Sequence, residues 1–344
     1  MPIFEEIQVL LAQENPFVCY VKPNENHWNL LKQNSNEIIP FSGQSGFVFA
    51  PFDAGLKVVI PTDEAFLSKG ILEEIKRNHS TKTKFLLTDQ KEAFEQLVSK
   101  GVQAITNGNF DKVVLSRKIE IPNQVDILET FQQLLVTYPT AFRYLFFHPK
   151  VGIWLGATPE QLVKISDNRF ETMSLAGTQL YRENLIWETK EIEEQQFVTD
   201  YILAKVKDKA NSVTFTEAQT IKAGNLAHLQ SLISGGLTDN FQDLQLIESL
   251  HPTPAVCGLP KENAIDFIIK NEGYDRKYYT GFLGEFEMNN QTDLFVNLRC
   301  LEVEEKTTNI YVGCGITKDS IPEKEFIETE NKSMTMRNIL VFNA

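Results

Sequence analysis

The chain of 344 residues lacks the cysteine patterns that would point to a disulfide framework or a zinc site. Its cysteines, Cys19, Cys257, Cys300 and Cys314, are far apart, and no CxxC motif occurs. Cysteines in this arrangement are typical of reduced, mostly buried thiols in a cytoplasmic protein.

Basic clusters and long apolar runs are also missing. The formal charge is −13, and no block of Lys and Arg could follow a phosphate backbone, which argues against nucleic acid and against an anionic membrane surface as partners. The longest apolar stretches, such as VGIWLGA at 151–157, are too short to span a bilayer. The acidic N-terminus MPIFEEIQVLLAQENPF does not resemble a signal peptide. We therefore expect a cytoplasmic protein, a monomer or weak dimer, that binds a small molecule.

No linker rich in Pro, Gly or Ser divides the chain. Beyond residue 110 the sequence pattern predicts strong strands, in the segments DKVVLSRKIEI, FRYLFFH, VGIWLGA, DLFVNLRCLEVE and NIYVGCGI. Helical spacing predicts helices over 89–108, 188–209, 217–234, 242–250 and 261–270. This order predicts an α+β fold in which large β-sheets are flanked by helices within one intertwined body, with residues 1–100 as its variable N-terminal part.

The stretch GCGITKDSIPEKEF, residues 313–326, joins the end of a strand to the start of a helix. Glycines at such a strand end let the backbone approach a ligand closely. Ser320 is the predicted N-cap, Pro322 suits the first turn, and Glu323 stands where a capping box requires an acidic side chain. The pattern predicts a helix that begins just after Ser320.

Two helices each present a pair of carboxylates. Glu325 and Glu328 are three residues apart on the face that also carries Lys332, and Glu191 and Glu194 repeat this spacing. Two such pairs could hold a Mg²⁺ ion between them, because Mg²⁺ prefers oxygen ligands and keeps water positions that a substrate carboxylate can take. Either pair alone is more often a solvated helix face, and the spacing leaves both interpretations open.

Other candidate residues are individually ambiguous. Lys112 lies in an apolar strand, where burial would favour an amine that acts as a base, but a lysine on an edge strand facing water is the alternative. Glu160 follows Pro159 after a strand and could be a general acid or merely the first acidic residue after a turn. Arg299 is predicted to lie mid-strand among apolar residues, where a guanidinium requires an anionic partner. His228 and His251 could each be core histidines.

Taken together, these segments resemble the chorismate-utilising enzymes, with a fold like that of anthranilate synthase component I. The resemblance covers roughly residues 101–344, the catalytic region, and follows the family's order of motifs. Those motifs are DKVVLSRK, WLGATPEQLVKI, MSLAGTQ, KEIEEQQFVTDYI, HPTPAVCGLP, YYTGFLGEF, FVNLRC and GCGITKDSIPEKEFIETENK. The resemblance implies chorismate as substrate, Mg²⁺ as cofactor, and addition of a nucleophile at C2 of the ring with loss of the C4 hydroxyl.

The resemblance also implies roles for single residues. Lys112 would activate water, and Glu160 would protonate the departing hydroxyl. The implied Mg²⁺ ligands are Glu194 and Glu328, with Glu191 and Glu325 beside them. The implied substrate-binding residues are Thr178, His228, Tyr279, Arg299, Gly315 and Lys332.

Lys112 together with the SLAGT segment resembles the members that use water, and we expect isochorismate synthase activity serving menaquinone or siderophore synthesis. Salicylate synthase, which goes on to eliminate pyruvate, is the alternative enzyme. A catalytically silent chorismate-binding protein is the alternative outside catalysis. Gln195 occupies a position where the family commonly has histidine, and we interpret it as a change next to the site and not within it.

Overall fold

The computed structural model describes residues 3–72, 90–122, 125–223, 226–238 and 242–343. Within these ranges, helices α1 to α7 run Ile3–Ala12, Lys91–Thr106, Ile127–Thr137, Thr189–Val206, Asp243–Leu250, Lys261–Asn271 and Pro322–Arg337. Strands β1 to β9 run Phe17–Val21, His27–Gln33, Gly46–Ala50, Val58–Pro61, Ala65–Ile71, Lys112–Ile121, Phe142–His148, Gly152–Thr158 and Gln161–Ser166. Strands β10 to β18 run Arg169–Leu180, Ala210–Phe215, Gln219–Ala223, Leu226–Leu237, Gly258–Leu259, Phe282–Met288, Gln291–Val296, Cys300–Val303 and Thr308–Ile316.

The strands form two antiparallel sheets. The first has the order β14-β6-β18-β17-β8-β7-β1-β2-β5, and the second has the order β11-β13-β10-β9-β16-β15-β3-β4, with β12 also paired to β13. The N-terminal strands contribute to both sheets, so the two sheets are intertwined along the chain. This confirms the predicted α+β fold with large sheets and flanking helices.

The sheets pack face to face because their strands are apolar on both faces. In β7, Phe142, Tyr144 and Phe146 enter the aromatic core between the sheets, whereas Leu145 and Phe147 face a second core beneath α1 and α3. Successive side chains of a strand point to opposite faces, which explains why the run FRYLFFH is buried throughout. The four cysteines are free and buried, as predicted.

A third core joins α4 and α5 to the second sheet, and a fourth places α2, α6 and Phe326 of α7 on β6 and β18. The ends of β6 and β18 therefore lie between helices from distant parts of the chain. Inside the fourth region, Arg276 pairs with Glu272 and donates to the carbonyl of Val114. This buried pair fixes α6 against β6 two residues from Lys112.

Three predictions about helices are wrong. Of the predicted helix over 217–234, residues 219–223 form β12 and residues 226–234 belong to β13, because β13 pairs with β10 on one side and with β12 on the other. Helix α7 has Ile321 at its N-cap, while the hydroxyl of Ser320 accepts from the backbone of Thr317 at 3.1 Å. Glu323 makes no capping box and instead pairs with Lys91 at 3.1 Å on the surface.

Within the ranges described, no helix combines the length and the apolar character needed to cross a membrane.

Candidate active site

Most of the predicted site residues meet at one end of the two sheets. A pocket of about 70 Å³ lies there, bounded by β6, β10, β13, β18, α4 and α7. The predicted residues that line it are Glu160, Thr178, Glu194, His228, Tyr279, Arg299, Gly315 and Lys332. An outer basin of about 490 Å³ shares Thr178 with this pocket and is lined by Lys190, Glu191, Glu325 and Glu328. The pocket and the basin meet at Thr178, and together they are called the cleft.

Lys112 lies beneath Glu194 at the start of β6. Its side chain is fully buried, and its Nζ is 3.1 Å from Oε1 of Glu194, a close ionic contact without hydrogen-bond alignment. Gly315 makes this contact possible, since a Cβ at that position would lie 2.0 Å from Oε1 of Glu194 and 3.2 Å from Cε of Lys112. Glycine is therefore needed at this strand end for a steric reason: a side chain there would overlap the carboxylate of Glu194.

Glu194 is a buried carboxylate surrounded by cations. Burial acts to raise its pKa, but Lys112, Lys190 and Lys332 outweigh burial and lower the pKa of Glu194 to about 2. Glu194 is therefore ionised at neutral pH. An ionised carboxylate in this position requires the lysines, because a buried charge without a partner is strongly destabilising.

The carboxylates of α7 face the same cations. Glu328 pairs with Lys332 at 2.8 Å, and Lys332 also donates to the carbonyl of Gly313 at 3.0 Å. Glu325 pairs with Lys190 of α4 at 2.5 Å. Burial, and then the neighbouring Glu328, raises the pKa of Glu325, which Lys190 opposes. Helices α4 and α7, remote in sequence, thus direct their acidic side chains into a common cluster.

The donor chemistry of this cluster fits a hard divalent cation, because its anionic groups are carboxylates from two converging helices. Lys190 has Glu194, Glu325 and Glu328 as its electrostatic neighbours. Across the described residues, no group of three or more His, Cys, Asp or Glu side chains is arranged so that it could hold a metal ion. Lysine side chains neutralise the carboxylates in this arrangement, and a bound ion would require some of them to withdraw.

Glu160 has the opposite electrostatic character to Glu194. Its side chain is buried, and burial raises its pKa to about 8, although Lys112, Lys332 and Arg299 oppose the rise. The carboxyl group is therefore mainly protonated at neutral pH and able to donate a proton. The site thus contains one ionised and one protonated glutamate, a separation typical of acid–base sites.

Arg299 does not lie mid-strand, as the sequence predicted, but in the link between β16 and β17 with a φ of 47°. Its guanidinium donates to Oγ1 of Thr335 at 2.9 Å and approaches Nε2 of His228 at 3.4 Å. Among the residues that the structure describes, it has no carboxylate in ion-pair contact. An internal glutamate, one possible anionic partner, is therefore not in contact with it, and Arg299 lines the pocket.

His228 is a neutral histidine on β13. Burial, followed by the charges of Arg299 and Lys332, lowers its pKa to about 3. Nδ1 donates to the carbonyl of Gly177 at 2.9 Å and lies 3.3 Å from Oγ1 of Thr178, which leaves Nε2 as an acceptor for Arg299. His228 therefore orients Arg299.

Tyr279 and Tyr311 close the inner end of the pocket. Their rings stack with centroids 5.4 Å apart, and both rings belong to the core between the sheets. A Cβ on Gly313 would lie 3.1 Å from the hydroxyl of Tyr279, so the strand passes close beneath this group. His251, by contrast, packs against Phe282 away from the pocket and is a core histidine.

Glu191 has a structural contact that the sequence analysis missed. Its Oε2 accepts from the backbone of Glu188 at 3.0 Å, and the two residues form the capping box of α4. The capping box predicted for α7 is absent, whereas α4 has one that the sequence analysis did not predict. Gly177 has a φ of 69°, and a Cβ there would lie 2.9 Å from Cβ of Glu191, so glycine also allows α4 to approach β10.

Gln195 anchors helix α4 to the second sheet. Its Nε2 lies 3.0 Å from Oγ of Ser174, 3.0 Å from Oγ1 of Thr199 and 2.9 Å from Oγ of Ser231. These buried bonds tie α4 to β10 and β13 directly behind Glu194. This agrees with the interpretation that Gln195 lies next to the site and not within it.

Lys190 is the residue of the cluster that the sequence analysis passed over. It precedes Glu191 and is four residues before Glu194, so the helical spacing that selected the carboxylates also places this lysine on their face. That spacing was the available signal.

Comparison with known proteins finds a matching family model and similar sequences. The family model described as chorismate binding enzyme matches residues 60–341. An isochorismate synthase from Bacillus subtilis is 30% identical over 270 residues, which cover 72% of this chain and 67% of that protein. An anthranilate synthase component 1 from Thermococcus kodakarensis is 29% identical over 262 residues, covering 72% of this chain. The chain matches 59% of the length of that relative.

A solved structure shares the fold. The protein, from Bacillus anthracis, was proposed to be a 2,3-dihydroxybenzoate-specific isochorismate synthase. It superposes with a TM-score of 0.81 over 98% of this chain and 99% of its own, at 23% sequence identity. The match establishes the architecture over nearly the whole chain.

The contact between Gly315 and Glu194 predicts the effect of adding one methyl group. We expect Gly315→Ala to lower the free energy of unfolding by about 1–3 kcal/mol, because the new Cβ would displace the carboxylate from Lys112. Denaturant titration measures this. Gly236→Ala is the matched control, since the nearest atom to a Cβ there is Oγ of Ser212 at 3.7 Å. Equal stability of the two variants would contradict the steric account.

The pKa of Glu160 predicts how stability depends on pH. Its pKa is raised from 4.5 to about 8 in the folded protein, so its contribution is fully present below about pH 4.5 and is lost as the pH rises through 8. Glu160→Gln cannot titrate, and we expect its stability to rise relative to wild type by a few kcal/mol (on the order of 1–4) from about pH 5 to about pH 9.

Denaturant titrations at several pH values test this, with Glu64→Gln, a change of an exposed carboxylate, as the control. A difference between Glu160→Gln and wild type that stays constant with pH would mean that Glu160 is ionised throughout the range.

Proposed function

Because the chain belongs to the chorismate-binding enzymes, we propose that it is a Mg²⁺-dependent isochorismate synthase. Water would add at C2 of chorismate while the C4 hydroxyl leaves, with the product passing to menaquinone or siderophore synthesis. The observation that carries the proposal is the placement of a protonated carboxyl, Glu160, in the same pocket as the guanidinium of Arg299. An acid beside a cationic anchor suits a dicarboxylate whose poor leaving group requires a proton.

Glu160 would donate its proton to the C4 oxygen, so that water and not hydroxide departs. A positioned acid of this kind contributes about 10²–10⁴-fold in rate. The pocket meets the main requirement, because burial keeps the proton on Glu160 near neutral pH.

Lys112 would accept the proton from the attacking water. Its fully buried ammonium is held by Glu194 in the present arrangement, so it can act as a base only when that contact weakens. The base is therefore controlled by the position of Glu194.

Substrate charge is met by two cationic groups. Arg299, oriented by His228 and Thr335, would bind one carboxylate, and Tyr279 lies in the same pocket. Lys332 and the backbone N–H of Gly315 would face the other carboxylate. Mg²⁺, which Glu194 and Glu328 would hold with Glu191 and Glu325 nearby, would supply further positive charge.

Product identification tests the proposal directly. Purified protein incubated with chorismate and MgCl₂ should yield isochorismate by chromatography, and excess EDTA should abolish the product. Pyruvate release without an added enzyme would identify a salicylate synthase instead. An aminated product formed in the presence of ammonium would place the chain with the anthranilate synthases.

Substitution of the acid and base tests their roles. We expect Lys112→Ala and Glu160→Gln each to lower kcat by about 10²–10⁴-fold, because each removes one proton-transfer group. Lys118→Ala is the matched control, since Lys118 lies on the same strand and pairs with the half-exposed Glu120. Turnover by either variant at the rate of the Lys118→Ala control would show that the assigned role is wrong.

A further inference from the structure

We propose that Lys190 is an internal counter-ion of the carboxylate cluster and that a divalent cation binds by displacing its ammonium. The cluster consists of Glu194 on α4 and Glu325 and Glu328 on α7. The inference rests on the proposed use of Mg²⁺, and it assigns to Lys190 the control of metal affinity.

The geometry places Lys190 between the two helices. Its Nζ is 2.5 Å from Oε1 of Glu325, and the two side chains are 18% and 3% exposed. Among the described residues, this ion pair is the one that joins α4 to α7. A pair so little exposed is only weakly screened by solvent.

The ammonium of Lys190 also lies near the other carboxylates of the cluster. Besides Glu325, with which it pairs directly, Lys190 has Glu328 and Glu194 as electrostatic neighbours. These three carboxylates are the groups that a cation in the cleft would use. Lysine and a divalent ion would therefore compete for the same oxygens.

Lys190 differs from the other two lysines of the cluster in how it is held. Lys112 is fully buried beneath Glu194, and Lys332 is fixed by the carbonyl of Gly313. In the described part of the chain, Lys190 donates a hydrogen bond to Glu325 and none to a backbone group. Lys190 also lines the outer basin of about 490 Å³, into which its flexible side chain can withdraw. Neither Lys112 nor Lys332 lines this basin, so Lys190 is the lysine of the cluster with open space beside it.

Removal of the ammonium should therefore strengthen metal binding. In the metal-free protein, Lys190→Met leaves the carboxylates short of a counter-ion, which raises the free energy of that state. The same substitution raises the free energy of the metal-bound state less, because the ion itself neutralises the carboxylates. We expect the Kd for Mg²⁺ to fall about fivefold or more, since even a small difference between the free-energy changes of the metal-free and metal-bound states has this effect.

Isothermal titration of MgCl₂ into the full chain, without chorismate, measures this affinity. Lys91→Met is the matched control, because Lys91 pairs with Glu323 on the same helix α7 but lies on the surface, 51% exposed. The control should bind Mg²⁺ as wild type does. Equal or weaker binding by Lys190→Met, with wild type binding normally, would overturn this inference alone. Failure of wild type to bind Mg²⁺ would overturn the metal requirement in the proposed function and this inference with it.

A second measurement uses the wild-type protein, in case Lys190→Met does not fold. Labelling with an amine-reactive reagent, followed by mass spectrometry, reports the accessibility of each lysine. Saturating Mg²⁺ should increase labelling of Lys190 severalfold relative to Lys91, because the displaced side chain enters the basin. Unchanged or reduced labelling of Lys190 would show that the ion binds without displacing it.

Discussion

Charge balance in a buried carboxylate cluster is the constraint on which the rest of this structure depends. Glu194 and Glu325 lie where burial opposes ionisation, and lysines approach them from the first strand of the site and from both helices. Removing one partner of such a pair would leave an uncompensated charge at a cost of several kcal/mol. The cleft is therefore stable only as a balanced set, and any bound cation has to take the place of a cation already present.

The fold supplies this balance by bringing distant segments together. Two face-packed sheets fix β6 and β18 side by side, with Val114 opposite Gly315, and helices α4 and α7 close over their ends. The absence of a side chain at Gly315 lets Glu194 reach Lys112, and the buried bonds of Gln195 hold α4 at that height. The same cleft keeps Glu160 protonated, because it is buried but further from a direct cationic partner. One architecture thus maintains two glutamates in opposite states.

The sequence predicted the parts of the site that depend on local periodicity. The spacing of Glu191, Glu194, Glu325 and Glu328 identified both helices and their acidic faces, and the motifs identified the family. It misassigned 217–234 because Ser231 faces inward to Gln195, which hides the alternation typical of a strand. The link position of Arg299 depends on where β16 stops pairing, a tertiary effect. Contacts such as Lys190 with Glu325 join residues 135 positions apart, and no local pattern encodes them.

The central claim is that α4 and α7 share one cation through Glu194 and Glu328. Crystals grown with MnCl₂ test it most directly, because the anomalous scattering of Mn²⁺ locates the ion without reference to activity. The account predicts a single strong peak between these two carboxylates, with the ammonium of Lys190 moved away from Glu325. A peak elsewhere, or Glu194 still bound to Lys112 with no ion beside it at saturating Mn²⁺, would contradict the account.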